Sequence, residues 1–349
     1  MSVSLRYLRH PLQSVGVFGT QKSFARNVII GDAELNRQGL HRWRVGTAAR
    51  LAERRRASIA RTLSSDDVES FERNGFFVTE NFLPDGAYQR FRDSLFAGRF
   101  PSYEMRQGAT VTRMTPIGRE LRAQVDGARE LISNDRFRAQ LGYAAGRTGA
   151  PLYFIQTVIA DGSSTSIVDP QTMVHADTFH ATSKAWLFLQ DVGPDNGPFQ
   201  YVPGSHKLTP ERLAWEYEQS LTASCAEDVH HRAGSFRLKP GDLDRMKLPQ
   251  PKAVTVKANT LVVADTFGFH ARTPSSHPTT RVEFHGHLRR NPFLPWNGVD
   301  PLSLPVVRNE FLPFFQSIIA GKSEAADGKP REEVWHPMGA IGVADPANV

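Results

Sequence analysis

The sequence contains a single cysteine, Cys225, among 349 residues, and this scarcity limits the sites that the chain can build. One cysteine cannot form a disulfide within the chain or supply a four-cysteine zinc site. So few thiols fit a reducing compartment, and we expect Cys225 to be inert rather than a nucleophile.

Long apolar stretches are missing as well. No run approaches the roughly 20 residues that a membrane-spanning helix needs, and no hydrophobic block near the N-terminus suits a secretory signal. We therefore expect a soluble, cytoplasmic protein. Hydrophobic residues make up 40% of the sequence and charged residues 22%, a balance typical of a globular protein with a sizeable core.

Acidic residues are absent from the first 31 positions, and residues 1–61 carry 12 Lys and Arg against 3 Asp and Glu. We therefore predict a basic N-terminal arm over 1–63, helical from 40, ahead of one domain at 64–349. We favour an arm packed on the domain. The alternatives are contact with an anionic membrane surface or a polyanion, or a mitochondrial transit peptide if the source is eukaryotic. No nucleic-acid partner is expected.

The stretch SSDDVESFERNGFFVTENFLP at 64–84 marks the start of the domain. Ser64 or Ser65 can cap a helix whose first turn is acidic. Asn74 and Gly75 end this helix, and a short strand follows. Further helices are predicted at 87–96, 127–143 and 210–220.

From position 151 onward, apolar runs of strand length alternate with turn residues. The runs are LYFIQTVIA, STSIV, MVHADTF, KAWLFLQDV, FQYVPGS, AVTVKA, LVVADTF and RVEFHGHLR. Closely spaced strands of this kind predict a mainly β fold, either an all-β barrel or a double-sheet jelly roll, with flanking helices. The segment 228–252 is loop-rich and suits a wall of a site. The tail past Phe293 lacks clear strands.

The segment MVHADTFHATSKAW at 173–186 contains the first candidate ligands. Alternate residues of a strand project from one face, so His175 and Asp177 can point at a common centre. A third ligand must come from another strand. The other candidates are histidines at 180, 206, 230, 231, 270, 277, 285 and 287.

His270 stands out because it closes the apolar run LVVADTFGFH, and a strand opens eleven residues later with Arg281. Two histidines and one carboxylate form the facial triad of non-heme Fe(II) oxygenases, which leaves positions for oxygen and a cosubstrate. A 2-oxoacid cosubstrate needs a cation at its far carboxylate, and arginine can pair with it through two hydrogen bonds. Arg281 can supply that cation.

HAD at 175–177, NGPFQYVPGSHK at 196–207, GFHAR at 268–272 and Arg281 together resemble the phytanoyl-CoA dioxygenase family of Fe(II)/2-oxoglutarate-dependent oxygenases. The likeness spans about 64–290. It implies a double-stranded β-helix, a jelly-roll barrel like that of cupins. It also implies His175, Asp177 and His270 as iron ligands, Arg281 at the C5 carboxylate of 2-oxoglutarate, and Trp186 beside the cosubstrate.

Several polar residues near these motifs remain open. Gln156 and Thr172 can hydrogen-bond 2-oxoglutarate or serve as ordinary polar strand residues. His180 can face the substrate or belong to a loop. His285 and His287 share a strand face but lack a carboxylate partner of their own, so we assign them no metal.

The reaction that this resemblance implies is hydroxylation of an unactivated C–H bond with O2, releasing succinate and CO2. The substrate would be a small organic molecule, such as an acyl-CoA or lipid-like compound or a natural-product intermediate. Related halogenases replace the carboxylate ligand with a small residue, so Asp177 favours hydroxylation. The alternatives are desaturation, cyclisation or epimerisation with the same cofactors, a cupin-type metal enzyme that needs no 2-oxoglutarate, and a non-catalytic barrel.

Overall fold

A computed structural model describes residues 11–162, 169–297 and 334–349. Within these ranges the helices are α1 (Pro11–Val17), α2 (Ala33–Arg37), α3 (Leu40–Ile59), α4 (Ser65–Asn74), α5 (Asp85–Ala97), α6 (Arg119–Gln124), α7 (Ala128–Ser133), α8 (Asp135–Ala144), α9 (Pro210–Thr222), α10 (Val229–Arg232) and α11 (Asp242–Arg245). The strands are β1 (Phe76–Thr79), β2 (Arg99–Gln107), β3 (Thr110–Pro116), β4 (Leu152–Ala160), β5 (Ser183–Phe188), β6 (Phe199–Tyr201), β7 (Lys252–Val254), β8 (Thr260–Asp265), β9 (His270–Arg272), β10 (Thr279–Leu288) and β11 (His336–Gly342).

The strands form two antiparallel sheets. The large sheet has eight strands in the order β1-β8-β5-β10-β4-β3-β2-β11, and the small sheet has three in the order β7-β6-β9. This arrangement with flanking helices confirms the predicted jelly-roll class. The large sheet is open in the described ranges, because β1 and β11 at its two edges do not pair with each other.

Strand β5 shows how the large sheet separates two cores. Ala185 and Leu187 belong to the main hydrophobic cluster, which the sheet shares with helices such as α5 and α8. Trp186 and Phe188 point to the opposite face, where they join residues of the small sheet in a second cluster. Such alternation is the geometry of a strand buried on both faces.

Several predicted elements are confirmed in detail. Strand β4 coincides with the run LYFIQTVIA. Ser64 caps α4 by accepting a hydrogen bond from the backbone N–H of Asp67, and Gly75 ends that helix in the left-handed conformation, with φ of 88°. Helix α9 begins where it was predicted and extends two residues further, to Thr222.

Four strands of the described ranges were not predicted: β2, β3, β11 and the three-residue β9. Strands β2 and β3 bury an ion pair, Arg113 with Glu104 at 2.5 Å, both fully inaccessible to solvent. Charged residues at inward positions hide the apolar alternation that marks a strand. Strand β11 pairs with β2, so the expectation that the tail lacks strands is wrong. Pro337 and Gly339 hide its strand character, and Arg113 helps to hold it by donating to the carbonyl of Gly342 at 2.9 Å.

Two further expectations differ from the structure. The helix predicted at 127–143 is divided into α7 and α8 at Asn134, whose side chain accepts a hydrogen bond from Phe137 and so caps α8. The predicted strand MVHADTF is reduced to an isolated bridge at His175. The predicted strand STSIV at 164–168 lies outside the described residues.

The basic arm packs on the rest of the chain through α3, which lies against α9. Its buried face contains not only apolar residues but also Arg44, Arg55 and Arg56. Arg55 donates to the carbonyl of Gly146, and Arg56 forms an ion pair of 2.7 Å with Asp265. The domain boundary at residue 63 stays a prediction. In the described ranges, no helix has the length and apolar character required to cross a membrane.

Candidate metal centre and cosubstrate cavity

His175, Asp177 and His270 meet at one point, with one ligand atom from each lying within 4.8 Å of the others. Nε2 of His175 is 3.6 Å from Oδ1 of Asp177, and Nε2 of His270 is 3.7 Å from the same oxygen. The described residues contain no other convergence of three or more His, Cys, Asp or Glu side chains. At these distances the three ligand atoms could bind a single metal ion placed between them.

Both imidazole rings are oriented by the main chain. His175 and His270 form an antiparallel bridge in which each N–H donates to the other's carbonyl at 2.9 Å. Nδ1 of His175 lies 2.7 Å from the carbonyl of Met173, and Nδ1 of His270 lies 3.0 Å from that of Gly268. Because a carbonyl only accepts, each Nδ1 carries the proton, and each Nε2 keeps a lone pair for a metal.

Asp177 lies between positive charges. Its carboxylate contacts Nζ of Lys184 at 2.7 Å, and its backbone carbonyl accepts a hydrogen bond of 2.5 Å from Lys22 in the N-terminal arm. Burial alone would raise the pKa of Asp177, but Lys184 and the two imidazoles outweigh it and hold the pKa well below its usual range. Burial also lowers the pKa of His270 to about 3. Asp177 and His270 therefore hold the protonation states that metal binding requires.

A cavity of about 240 Å³ extends from His175 and His270 to Arg281, and we call it the cosubstrate cavity after its predicted occupant. Arg281 is only 8% exposed. Its Nη1 donates to the carbonyl of Gly197, and its Nε lies against the carboxyl group of Glu283. A buried guanidinium at the end of a small cavity is a natural binding point for a carboxylate.

Strand β10 presents its polar residues to this cavity by simple alternation. Arg281, Glu283 and His285 line the cavity, whereas Val282 and Phe284 belong to the main hydrophobic cluster on the other face. Period-two alternation thus separates a charged wall from an apolar core within one strand.

Trp186 and Gln156 both line the cavity, as their predicted roles require. The Trp186 ring packs against Phe199, with ring centroids 4.7 Å apart. Thr172 is not among the lining residues, and its hydroxyl donates to the carbonyl of Asp169 at 2.8 Å. The roles of these three residues toward a cosubstrate stay predictions.

His180 lies outside this cavity. Its Nδ1 bonds to the carbonyl of Ala181, and burial holds its pKa well below the usual range. It lines a different cavity of about 510 Å³, bounded on one side by α3. His285, by contrast, does line the cosubstrate cavity but is not part of the ligand cluster.

Four charged residues around the site were missed by sequence reasoning. Lys184 lies two residues before Trp186 on β5, and Glu283 lies two residues after Arg281 on β10, so period two could have placed both in the cavity. Arg272 follows His270 by two residues and forms an ion pair with Asp169. No sequence pattern could have indicated Lys22, because only tertiary packing brings the arm to Asp177.

A family model for phytanoyl-CoA dioxygenase (PhyH) matches residues 71–245, about half of the chain. The chain belongs to the phytanoyl-CoA dioxygenase family. It is accordingly a non-heme iron- and 2-oxoglutarate-dependent oxygenase, as the sequence resemblance implied. No curated protein matches the chain.

Among solved structures, the chain is similar to the epimerase SnoN in complex with Fe3+, alpha ketoglutarate and nogalamycin RO. The two share 18% identity over 70% of this chain and 93% of SnoN, with a TM-score of 0.43. The carbocyclase SnoK from nogalamycin biosynthesis shares 19% identity over 66% and 86% of the two chains, with a TM-score of 0.42. HygX from Streptomyces hygroscopicus, with nickel, 2-oxoglutarate and hygromycin B bound, shares 16% identity over 64% and 86%, with a TM-score of 0.38.

The side chains present fit the family's cofactors. Two imidazole nitrogens and one carboxylate are the donor set that suits Fe(II). The cavity beside them has a guanidinium to receive an oxoacid carboxylate.

Proposed function

We propose that the chain hydroxylates an unactivated C–H bond of a small organic substrate, with His175, Asp177 and His270 as iron ligands and Arg281 as the anchor of 2-oxoglutarate. The observation that carries the proposal is that one cavity joins the histidines of the ligand cluster to a buried arginine. A cupin-type metal enzyme that needs no oxoacid would have no use for that arginine.

When bound, iron and 2-oxoglutarate supply the oxygen activation that oxidises the substrate, with succinate and CO2 as coproducts. The protein positions the cosubstrate and excludes water. Trp186 and Phe199 form an apolar wall of the cavity, and Arg281 neutralises a carboxylate at its end. Lys184 keeps the Asp177 carboxylate ionised and fixes its orientation.

Asp177 supports oxygenation rather than halogenation. Related halogenases have a small residue at this position, which leaves space for a halide, whereas this chain retains a carboxylate with Oδ1 directed at both imidazoles. Desaturation, cyclisation and epimerisation use the same ligand set, so product analysis distinguishes them from hydroxylation.

Positive charge close to Asp177 supports an anionic substrate. Lys22 lies against the Asp177 carbonyl and is influenced electrostatically by Arg237 and Arg289. None of these three cations lines the cosubstrate cavity. A substrate with a phosphate or carboxylate group, such as an acyl-CoA or an acidic natural-product intermediate, matches this group of cations.

The decisive experiment measures succinate release with and without 2-oxoglutarate in the wild type, Arg281→Ala and the control Arg245→Ala. Arg245 is an exposed arginine paired with Glu218. We expect succinate only with 2-oxoglutarate, strong loss in Arg281→Ala and none in the control. Equal turnover in every case would refute the proposal. Failure of the protein to bind Fe(II) without oxygen would instead favour a non-catalytic barrel.

A further inference from the structure

The end of the cosubstrate cavity contains a carboxyl group, that of Glu283, beside the Arg281 guanidinium. Glu283 is fully buried on β10, on the same face as Arg281, and its carboxyl group lies against the Arg281 guanidinium. Oε1 faces Nε of Arg281, whereas Oε2 has no hydrogen-bond partner among the described residues. A buried carboxyl group without a hydrogen bond is costly. Oε2 is therefore free to form a hydrogen bond with a bound ligand.

An incoming carboxylate changes the charge balance at this point. In the free protein, Glu283 balances Arg281, and Asp169 balances the neighbouring Arg272. A second carboxylate beside Arg281 would put two negative charges next to one guanidinium in a buried site. Two carboxylates that share one buried guanidinium repel each other. The repulsion raises the pKa of one of them, so that carboxylate is favoured in its protonated form.

We propose that Glu283 takes up one proton from solvent when 2-oxoglutarate binds, and that its carboxyl group then donates a hydrogen bond to the distal carboxylate of the cosubstrate. This inference rests on the proposed function. No bond other than the O–H of Glu283 forms or breaks, and the charge of the Arg281 end stays balanced before and after binding. Glu283 becomes a positioning residue for the cosubstrate, with a binding step that depends on pH.

The surroundings of Glu283 select it as the proton acceptor. The charged and titratable groups that line the cavity with it are Arg281 and His285 on its own strand, Lys184 on β5, His270 and Arg272 on β9, and His175, which is bridged to His270. Burial raises the pKa of Glu283 despite the two arginines, and burial holds the pKa of His285 well below its usual range. The imidazole of His285 therefore stays neutral, and the carboxyl group is the site where a proton adds.

Calorimetry of 2-oxoglutarate binding tests the proposal. The Fe(II)-loaded protein, kept free of oxygen, is titrated from pH 6 to 9 in phosphate and in Tris, whose ionisation enthalpies differ. We expect uptake of up to one proton in the wild type, with Kd rising by up to about tenfold per pH unit. Glu283→Gln should bind 2-oxoglutarate without uptake and with a flat pH profile. The control Glu72→Gln alters a distant carboxyl group that bonds Tyr143 and should behave as the wild type.

A second ligand makes the test independent of any variant. The analogue 2-oxopentanoate keeps the oxoacid end but lacks the distal carboxylate, so it should bind the wild type without proton uptake. Binding of 2-oxoglutarate without uptake, or equal uptake in the wild type and Glu283→Gln, would overturn the inference alone. If the wild type binds no 2-oxoglutarate at all, the proposed function fails and the inference fails with it.

Discussion

The two ends of the cosubstrate cavity are built by different means. At the metal end, main-chain carbonyls orient His175 and His270, and a backbone bridge joins the two residues. At the opposite end, Arg281 and Glu283 hold each other as a buried ion pair. Position is fixed by the backbone at one end and by charge at the other.

This difference predicts which changes each end tolerates. Main-chain hydrogen bonds survive most side-chain substitutions, so the metal end should lose function only when a ligand or a direct partner is changed. The charged end depends on a balance between two side chains. Substitution of Arg281 should damage folding and binding together, and a compensating substitution of Glu283 should restore stability.

The largest effect is expected for His270→Ala. This change removes one of three donors and leaves the backbone bridge intact, so the protein should fold normally and lose high-affinity iron binding. Anaerobic Fe(II) titration and thermal unfolding measure the two properties. His277→Ala, an exposed histidine in the loop before β10, serves as the control. Normal iron affinity in His270→Ala would remove His270 from the centre.

The charged end is tested by Arg281→Met, alone and combined with Glu283→Gln. Arg281→Met leaves an unpaired buried carboxylate and should destabilise the protein by about 3–5 kcal/mol. The double variant should recover most of that stability but still bind 2-oxoglutarate poorly. Urea unfolding and 2-oxoglutarate titration separate the two outcomes. Additive losses of stability in the double variant would show that the ion pair is not an energetic unit.

A smaller effect is expected for Lys184→Met at the metal end. Lys184 is a side-chain partner of a ligand there, and loss of such a partner typically costs about 10–100-fold in metal affinity. Lys257→Met is a matched control, because Lys257 makes a lysine–aspartate pair with Asp191 on the surface. Iron affinity unchanged in Lys184→Met would mean that the backbone alone positions Asp177.

The smallest effect is expected for Trp186→Phe. The change keeps an aromatic wall but removes part of a ring that packs against Phe199, so the cavity widens slightly. The KM for 2-oxoglutarate should rise by less than about tenfold while kcat stays close to the wild-type value. A large fall in kcat with an unchanged KM would give Trp186 a role other than that of a wall.

Much of this architecture could be predicted because it follows from local patterns. Strand β4 and helix α4 have clear apolar periodicity or capping residues, and both appear where expected. The residues His175, Asp177 and His270 were selected by spacing and by family resemblance, and the fold brings them together.

The parts that escaped prediction depend on distant contacts. Arg113 and Glu104 can be buried in the sheet because they form an ion pair with each other, and no local sequence pattern predicts that pairing. The same holds for Lys22, which reaches Asp177 across 155 positions of the chain. Glu283 is different, because the alternation of β10 places it on the same face as Arg281. Its pairing with Arg281 in a buried site, however, could be seen only in the structure.

Strand β11 has a consequence for how the molecule is made. It covers the outer edge of β2, and Arg113 and Gly342, which are joined by a hydrogen bond in this region, lie 229 positions apart. A ribosome therefore exposes β2 long before its cover exists. An uncovered strand edge can capture other extended chains. Until β11 has been synthesised, this edge of β2 stays open to pairing with other chains, and a chaperone that covers it would prevent such pairing.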